Sequence, residues 1–225
     1  KEEAGADGAV GLSLWASLKF LWTQYWSTAP SIYAVHHLLE ALLVGQLPKW
    51  AVVGVERRAH MDRVSALLND WAMQMDLPEL ERRRWLAAGQ VHDLLRDSEP
   101  SELREILPST LAELPGPILH GPAVAERLRS EGVDDGELLI AVAQHSLGDA
   151  RFGRLGRALY AADFLEPGRA FLPGWRAELR ERMPDDFDAV VAEVTEARIR
   201  NLTESGSKVS PQTLDFWNMV VREAA

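Results

Sequence analysis

Six side chains of metal-ligand type, His60, His92, Asp93, His120, His145 and Asp163, are spread through the central part of this chain. Two of them are adjacent: His92-Asp93 stands at the end of the run AAGQVHDLLRD. A His…His-Asp…His…His…Asp series is the donor set that a two-metal phosphohydrolase centre needs. Imidazole and carboxylate together give octahedral sites with positions left open for water and substrate oxygens. Asp93 is expected to bridge two ions, one carboxylate oxygen to each. His60 and Asp163 then complete the shell of one ion, and His120 and His145 hold the other. Two such ions, roughly 3.5–4 Å apart, polarise a phosphoryl group and lower the pKa of a shared water. Four of the six histidines fall in the series, accompanied by the small residues Gly89, Gly121 and Gly148. His36 and His37 lack partners of matching type and read as ordinary structural residues.

The elements that must position these residues are helices. Sustained period-two alternation is scarce, while apolar spacing of three and four recurs along the chain. Residues 1–8 read as a tail, Leu12 to Trp26 as a helix stopped by Pro30, and Ser31 to about Val44 as a second helix with Gly45 as its C-cap. Glu56 to Met75 is an amphipathic helix carrying His60, and Leu80 to Leu95 another, with His92-Asp93 near its end. The segment from Ser98 to Pro117 is turn-rich around one short helix. Helices are then expected from His120 to Ser130, from Asp135 or Gly136 to His145, and over Phe152–Phe164, where Asp163 lies. Further helices follow at Gly174–Arg182, Phe187–Thr203 and Pro211–Glu223. The expectation is an all-α domain over 50–225 with a helical N-terminal extension at 1–49.

Composition sets the outer bounds. The 225 residues suffice for one substantial domain, and 47% hydrophobic with 26% charged residues is ordinary for a soluble globular chain. The formal net charge of −10 repels nucleic acid, so nucleic acid is not an expected partner. A polyanionic substrate therefore needs a local positive site, made by metal ions or a few arginines. With no cysteine, thiolate-ligated metal is excluded. The apolar stretch Ala9–Trp22 is too short to span a bilayer and lacks the features of a signal peptide, so a cytoplasmic location is expected. Trp15, Trp22 and Trp26 suit packing onto the domain or onto a second copy in a homodimer. Trp71, Trp85 and Trp217 read as core, and Arg82-Arg83-Arg84 as a solvated helix face beside Glu79 and Glu81. Glu166 reads equally as a partner to a ligand histidine or as a plain helix end.

The runs RRAHMDRV, AAGQVHDLLRD, LHGPAVA, AVAQHSLGD and ALYAADFLEPGR resemble the HD-domain superfamily, in particular its symmetrical bis(5′-nucleosyl)-tetraphosphatases. ADFLEPGR is the most specific string. An A-D-x-x-E-x-x-R segment in that family follows a His-Thr-x-Gly segment, matched here by His145-Ser146-Leu147-Gly148. The resemblance spans roughly Trp50 to Asn218, with DFDAVVAEVTEARIRNLTESGSKVSPQTLDFWN similar to the closing helices. It implies an HD-type helical bundle and hydrolysis of diadenosine tetraphosphate to two ADP. It also implies a di-iron-like centre on the six residues above, with manganese, cobalt or zinc as other ions of suitable chemistry. Asp93 and Arg96 are then catalytic, and Arg96, Ser146 and Arg169 contact substrate phosphates. Arg96 stands where the family commonly has lysine, and Ser146 where it has threonine. Another HD-type nucleotide phosphohydrolase, a phosphodiesterase, or a non-catalytic nucleotide-binding module are the other readings.

Overall fold

A computed structural model describes residues 35–224. The tail and the Leu12–Trp26 helix expected from the sequence lie outside the described residues, as do residues 31–34 of the next expected helix. Among the described residues there are helices and turns but no strand, as the all-α reading requires. In chain order the helices are α1 (His37–Leu43), α2 (Val55–Gln74), α3 (Glu79–Val91), α4 (Pro100–Ile106), α5 (Ser109–Ala112), a 3-10 turn at Gly116–Ile118, α6 (His120–Ser130) and α7 (Gly136–Gln144). They continue with α8 (Arg154–Leu165), α9 (Pro173–Arg182), α10 (Phe187–Glu204) and α11 (Pro211–Glu223).

Local chemistry sets many of the boundaries. Asp135 caps α7 by accepting from the Leu138 amide at 3.1 Å, and Ser210 caps α11 through Thr213 at 3.1 Å, with Pro211 opening the helix. After α1, the Gln46 amide reaches the Ala41 carbonyl and the Gly45 amide that of Leu42, both at 2.9 Å. This Schellman closure uses the positive φ of 83° at Gly45, as the sequence led us to expect.

Helix α8 is the axis of the bundle. It touches α2, α3, α7 and α10, and buries Leu155, Ala158, Leu159, Tyr160, Ala161, Ala162, Asp163 and Leu165. The α2 face Met61, Val64, Leu68 and Trp71 repeats at helical spacing and packs along α3. Leu39 and Leu42 of α1 join the same core, so residues on both sides of position 49 contribute to one apolar interior.

The fold corrects several expectations. Helix α3 ends at Val91, not Leu95, because the His92 ring donates from Nδ1 to the Gly89 carbonyl at 2.9 Å. That carbonyl would otherwise take the Asp93 amide, so the helix tightens into a turn that holds His92 and Asp93. The stretch from Ser98 to Pro117 holds α4, α5 and the 3-10 turn, not one short helix. Arg84 is not a solvated residue: it is 2% exposed and forks onto Asp135 at 2.6 and 2.9 Å, with Glu81 and Glu137 beside it. Arg82 and Arg83 do face outward, onto Glu79 and Glu40. Trp71 and Trp85 are core, whereas Trp217 is only partly buried because Phe216 takes the inward position on α11.

Candidate metal centre

The bundle brings the six metal-ligand-type residues to one buried place, none more than 8% exposed. They arrive from α2 (His60), the turn after α3 (His92, Asp93), the start of α6 (His120), the end of α7 (His145) and the last turn of α8 (Asp163). Two glycines let these helices close in. A Cβ on Gly89 would lie 2.6 Å from the Ser65 backbone of α2, and one on Gly121 would lie 2.8 Å from the Val142 and Ala143 carbonyls of α7. Any larger residue would push His92 away from His60, or His120 away from His145.

Asp93 is the centre of the arrangement. Its Oδ2 lies 3.6 Å from Nε2 of both His60 and His92, and its Oδ1 lies 3.1 Å from His120 Nε2 and 3.4 Å from His145 Nε2. Two groups of donors thus share one carboxylate: His60, His92 and Asp93, then Asp93, His120 and His145. Asp163 joins the first group, its Oδ1 3.2 Å from His60 Nε2.

The histidine tautomers follow from their outer contacts. His92, His120 and His145 each donate Nδ1–H to the carbonyl three residues earlier: Gly89 at 2.9 Å, Pro117 at 3.1 Å and Val142 at 2.7 Å. His60 turns its Nδ1 to Glu166 at 3.3 Å. His92, His120 and His145 therefore turn an Nε2 lone pair inward, and His60 turns its Nε2 inward with its Nδ1 on a carboxylate, the orientations that metal-binding imidazoles take from a backbone or carboxylate partner. Pairs of Nε2 atoms then meet at 3.3 Å (His60, His92) and 3.1 Å (His120, His145). At that distance each pair needs a proton or a metal ion between its nitrogens, so the donors fit a cation.

The electrostatics agree. Burial disfavours charge on His60, but hydrogen bonds to Asp163 and Glu166 and the charges of Asp163 and Asp93 outweigh it and raise its pKa to about 9. Burial dominates at His92, which falls to about 4, and lowers His120 as well. Asp93 and Asp163 resist their own burial: neighbouring imidazoles, with Arg198 at Asp163, hold both well below the usual carboxylate range. The pocket favours carboxylates that stay ionised and a positive charge between them.

Among the other expected site residues, Ser146 Oγ lies 3.3 Å from His145 Nε2, and Arg169 donates to Asp163 Oδ1 at 2.9 Å. Arg96 is exposed and reaches the Pro117 carbonyl at 3.4 Å, the same oxygen that orients His120. Glu166, which the sequence left between two readings, accepts from His60 Nδ1, Arg63 Nε and the Gly168 amide.

Three arginines were not singled out from the sequence. Arg57 donates to Asp93 Oδ2 at 2.6 Å, Arg63 pairs with Glu166, and Arg198 donates to Asp163 Oδ2 at 2.8 Å. Arg57 and Arg63 stand three residues either side of His60, on one face of α2, so R-x-x-H-x-x-R was the available signal. Arg198 comes from α10 and left no local trace.

Comparison with known proteins agrees with this geometry. Symmetrical bis(5′-nucleosyl)-tetraphosphatases of Staphylococcus aureus and Bacillus subtilis are each 27% identical to this chain, over 139 and 136 residues. These matches cover 58% of this chain in both cases, and 71% and 72% of those proteins. The enzyme of the same name from Halalkalibacterium halodurans is 25% identical over 138 residues, 59% of this chain and 73% of that one. A crystal structure described as a predicted HD superfamily hydrolase involved in NAD metabolism, from Clostridium acetobutylicum, superposes with a TM-score of 0.68. It covers 84% of this chain and 99% of that one at 22% identity, a likeness of fold. The sequence model of the HD domain matches residues 57–194, from Arg57 beside Asp93 to Val194 on α10. With that span enclosing all six converging side chains, the chain belongs to the HD domain family.

Proposed function

We propose that this chain is a metal-dependent phosphohydrolase that cleaves diadenosine tetraphosphate symmetrically into two ADP. The observation that carries the reading is the Asp93 carboxylate, with each oxygen turned to a different pair of inward imidazoles. His60, His92 and Asp163 would hold one ion and His120 and His145 the other, with Asp93 on both. The nitrogen and oxygen donors suit iron, and also manganese, cobalt or zinc. Bound there, the ions supply charge that polarises a phosphoryl group and acidifies a water.

The chain's own residues bind and orient. Arg57 fixes Asp93, and Glu166 fixes the His60 ring. Arg169 and Arg198, already on Asp163, present further donors to phosphate oxygens, and the planar guanidinium suits two-pronged contact. Ser146 sits beside His145 as a hydroxyl donor to phosphate, and Arg96, exposed on the Pro117 carbonyl that orients His120, is a further cationic donor to it. Hydrolysis adds water across the central P–O–P bridge, so each half leaves as a nucleoside diphosphate. The names of the three relatives support this substrate, and the HD domain match over residues 57–194 supports the reaction class. The test is product analysis of diadenosine tetraphosphate incubated with protein supplied with iron, manganese or cobalt. ADP as sole product is expected; AMP with ATP would assign the chain to an asymmetric cut, and no cleavage would overturn the substrate.

A further inference from the structure

The turn that holds His92 and Asp93 runs on to Asp97, and the segment leading into α2 lies beside it. Two hydrogen bonds join them. The Val52 amide donates to the Leu94 carbonyl at 2.8 Å, and the Gly54 amide donates to Asp97 Oδ2 at 3.0 Å. Gly54 is the N-cap of α2, so this contact fixes the start of the helix that carries Arg57 and His60. The other oxygen of Asp97 turns to Arg57: Oδ1 accepts from its Nε at 3.3 Å. From the same guanidinium, Nη1 donates to Asp93 Oδ2 at 2.6 Å. Arg57 is thus shared between an outer carboxylate, whose side chain is 35% exposed, and an inner one at 4%.

That sharing matters because Asp93 Oδ2 is also the oxygen that faces His60 and His92, 3.6 Å from each Nε2. A carboxylate oxygen has lone pairs enough for a guanidinium and an ion together. The two positive charges repel, however, and in a site this buried the repulsion is weakly screened. A guanidinium left with one carboxylate also settles into a two-pronged fork across both oxygens. On Asp93 such a fork would engage Oδ1, the oxygen turned to His120 and His145. Asp97 opposes both effects. It keeps the Nε edge of Arg57 on itself, and its charge offsets that of the guanidinium.

We infer that Asp97 is a positioning residue for the metal centre, acting through Arg57 to keep Asp93 open to an ion, an inference that rests on the metal centre proposed above. Asp97 touches none of the six ligand-type residues through its side chain; both of its oxygens are spent on Arg57 and Gly54. Its influence on Asp93 therefore passes through one guanidinium. Without Arg57 the Asp97 charge is near the surface and largely screened from the centre, and it has nothing there to offset. The effect of Asp97 on ion binding is thus conditional on Arg57, whereas its hold on the Gly54 amide is not.

The test is the affinity of the full chain for manganese alone, read from the electron paramagnetic resonance signal of the free ion. Four proteins are compared: wild type, Asp97→Asn, Arg57→Gln and the double variant. Asparagine keeps an oxygen for the Gly54 amide and loses the charge that holds Arg57, at a side chain exposed enough to be altered without opening the core. The expected result is an affinity about 5-fold lower in Asp97→Asn than in the wild type, the scale of a partly exposed charge pair. Adding Asp97→Asn to Arg57→Gln should change nothing further. An affinity that is unchanged or higher in Asp97→Asn overturns the inference. So does an equal loss in both backgrounds, since a role at the α2 cap alone would act with or without Arg57. A wild type that takes up no manganese removes the metal centre and this inference with it. A wild type that binds manganese beside an indifferent Asp97→Asn removes this inference alone. If the affinities move as expected but diadenosine tetraphosphate is not cut, Asp97 keeps its role and the substrate reading fails.

Discussion

The two oxygens of Asp93 face different pairs of imidazoles, and each imidazole is held from behind by a fixed acceptor. Such outer contacts set ring orientation and ligand basicity, and losing one typically costs about 10–100-fold in metal affinity. Glu166→Gln keeps an oxygen near His60 Nδ1 but removes its charge, so metal affinity should fall by about that factor. Competition with a chelating dye would measure it, and unchanged affinity would mean that Glu166 only ends a helix. The ligand-type residues were legible because histidine is scarce here and four of the six fall into one series. Arg198 was not legible, since its contact with Asp163 spans 35 positions and depends on how α10 crosses α8. Arg84 was misread for a related reason: its neighbours in sequence are charged, but its real partner is Asp135 on another element.

Helix ends do much of the positioning. His92 and His145 each take a carbonyl that the next backbone amide would need, which both ends the helix and aims the ring. The sequence carried the helices but not these stops, because a side chain competing with the backbone leaves no periodic mark. The Arg84–Asp135 pair ties α3, which leads into His92, to the cap of α7, which leads into His145. Arg84→Ala leaves Asp135 buried and uncompensated, so the fold should lose about 3–5 kcal/mol, read as a lowered midpoint in urea. A loss under about 1 kcal/mol, the usual worth of a surface pair, would contradict the structure. At α1, His36 Nδ1 accepts from the Leu38 amide at 3.3 Å, which requires a neutral ring. Burial and His37 lower its pKa below 6.5, against weaker opposing effects of Asp134 and Glu131. The fold therefore favours the neutral form: the cap's contribution is full above pH 6.5 and is lost as pH falls through the lowered pKa of the folded state. Amide exchange at Leu38, corrected for its intrinsic pH dependence, should quicken below pH 6.5, and His36→Asn should abolish that change. Equal protection throughout the acid range down to the onset of unfolding in the wild type would contradict it.

At the scale of the whole molecule, a chain of net charge −10 concentrates arginines around one buried acidic centre. Anionic substrate is then drawn by the local field while polyanions in general are repelled. Helical class followed from periodicity alone, but the meeting of α2, α3, α6, α7 and α8 at one point did not. That came from resemblance, and then from α8 lying at the axis of the bundle. Among the described residues no helix is long and apolar enough to cross a membrane. Asp93 is proposed to join two ion sites into one centre. Metal content of anaerobically purified protein, wild type against Asp93→Ala, tests it most directly. The wild type should carry close to two transition-metal ions per chain, one for each donor group, and a folded Asp93→Ala should lose nearly all of both. A wild type that carries no transition metal, or an Asp93→Ala that keeps both ions, would contradict it.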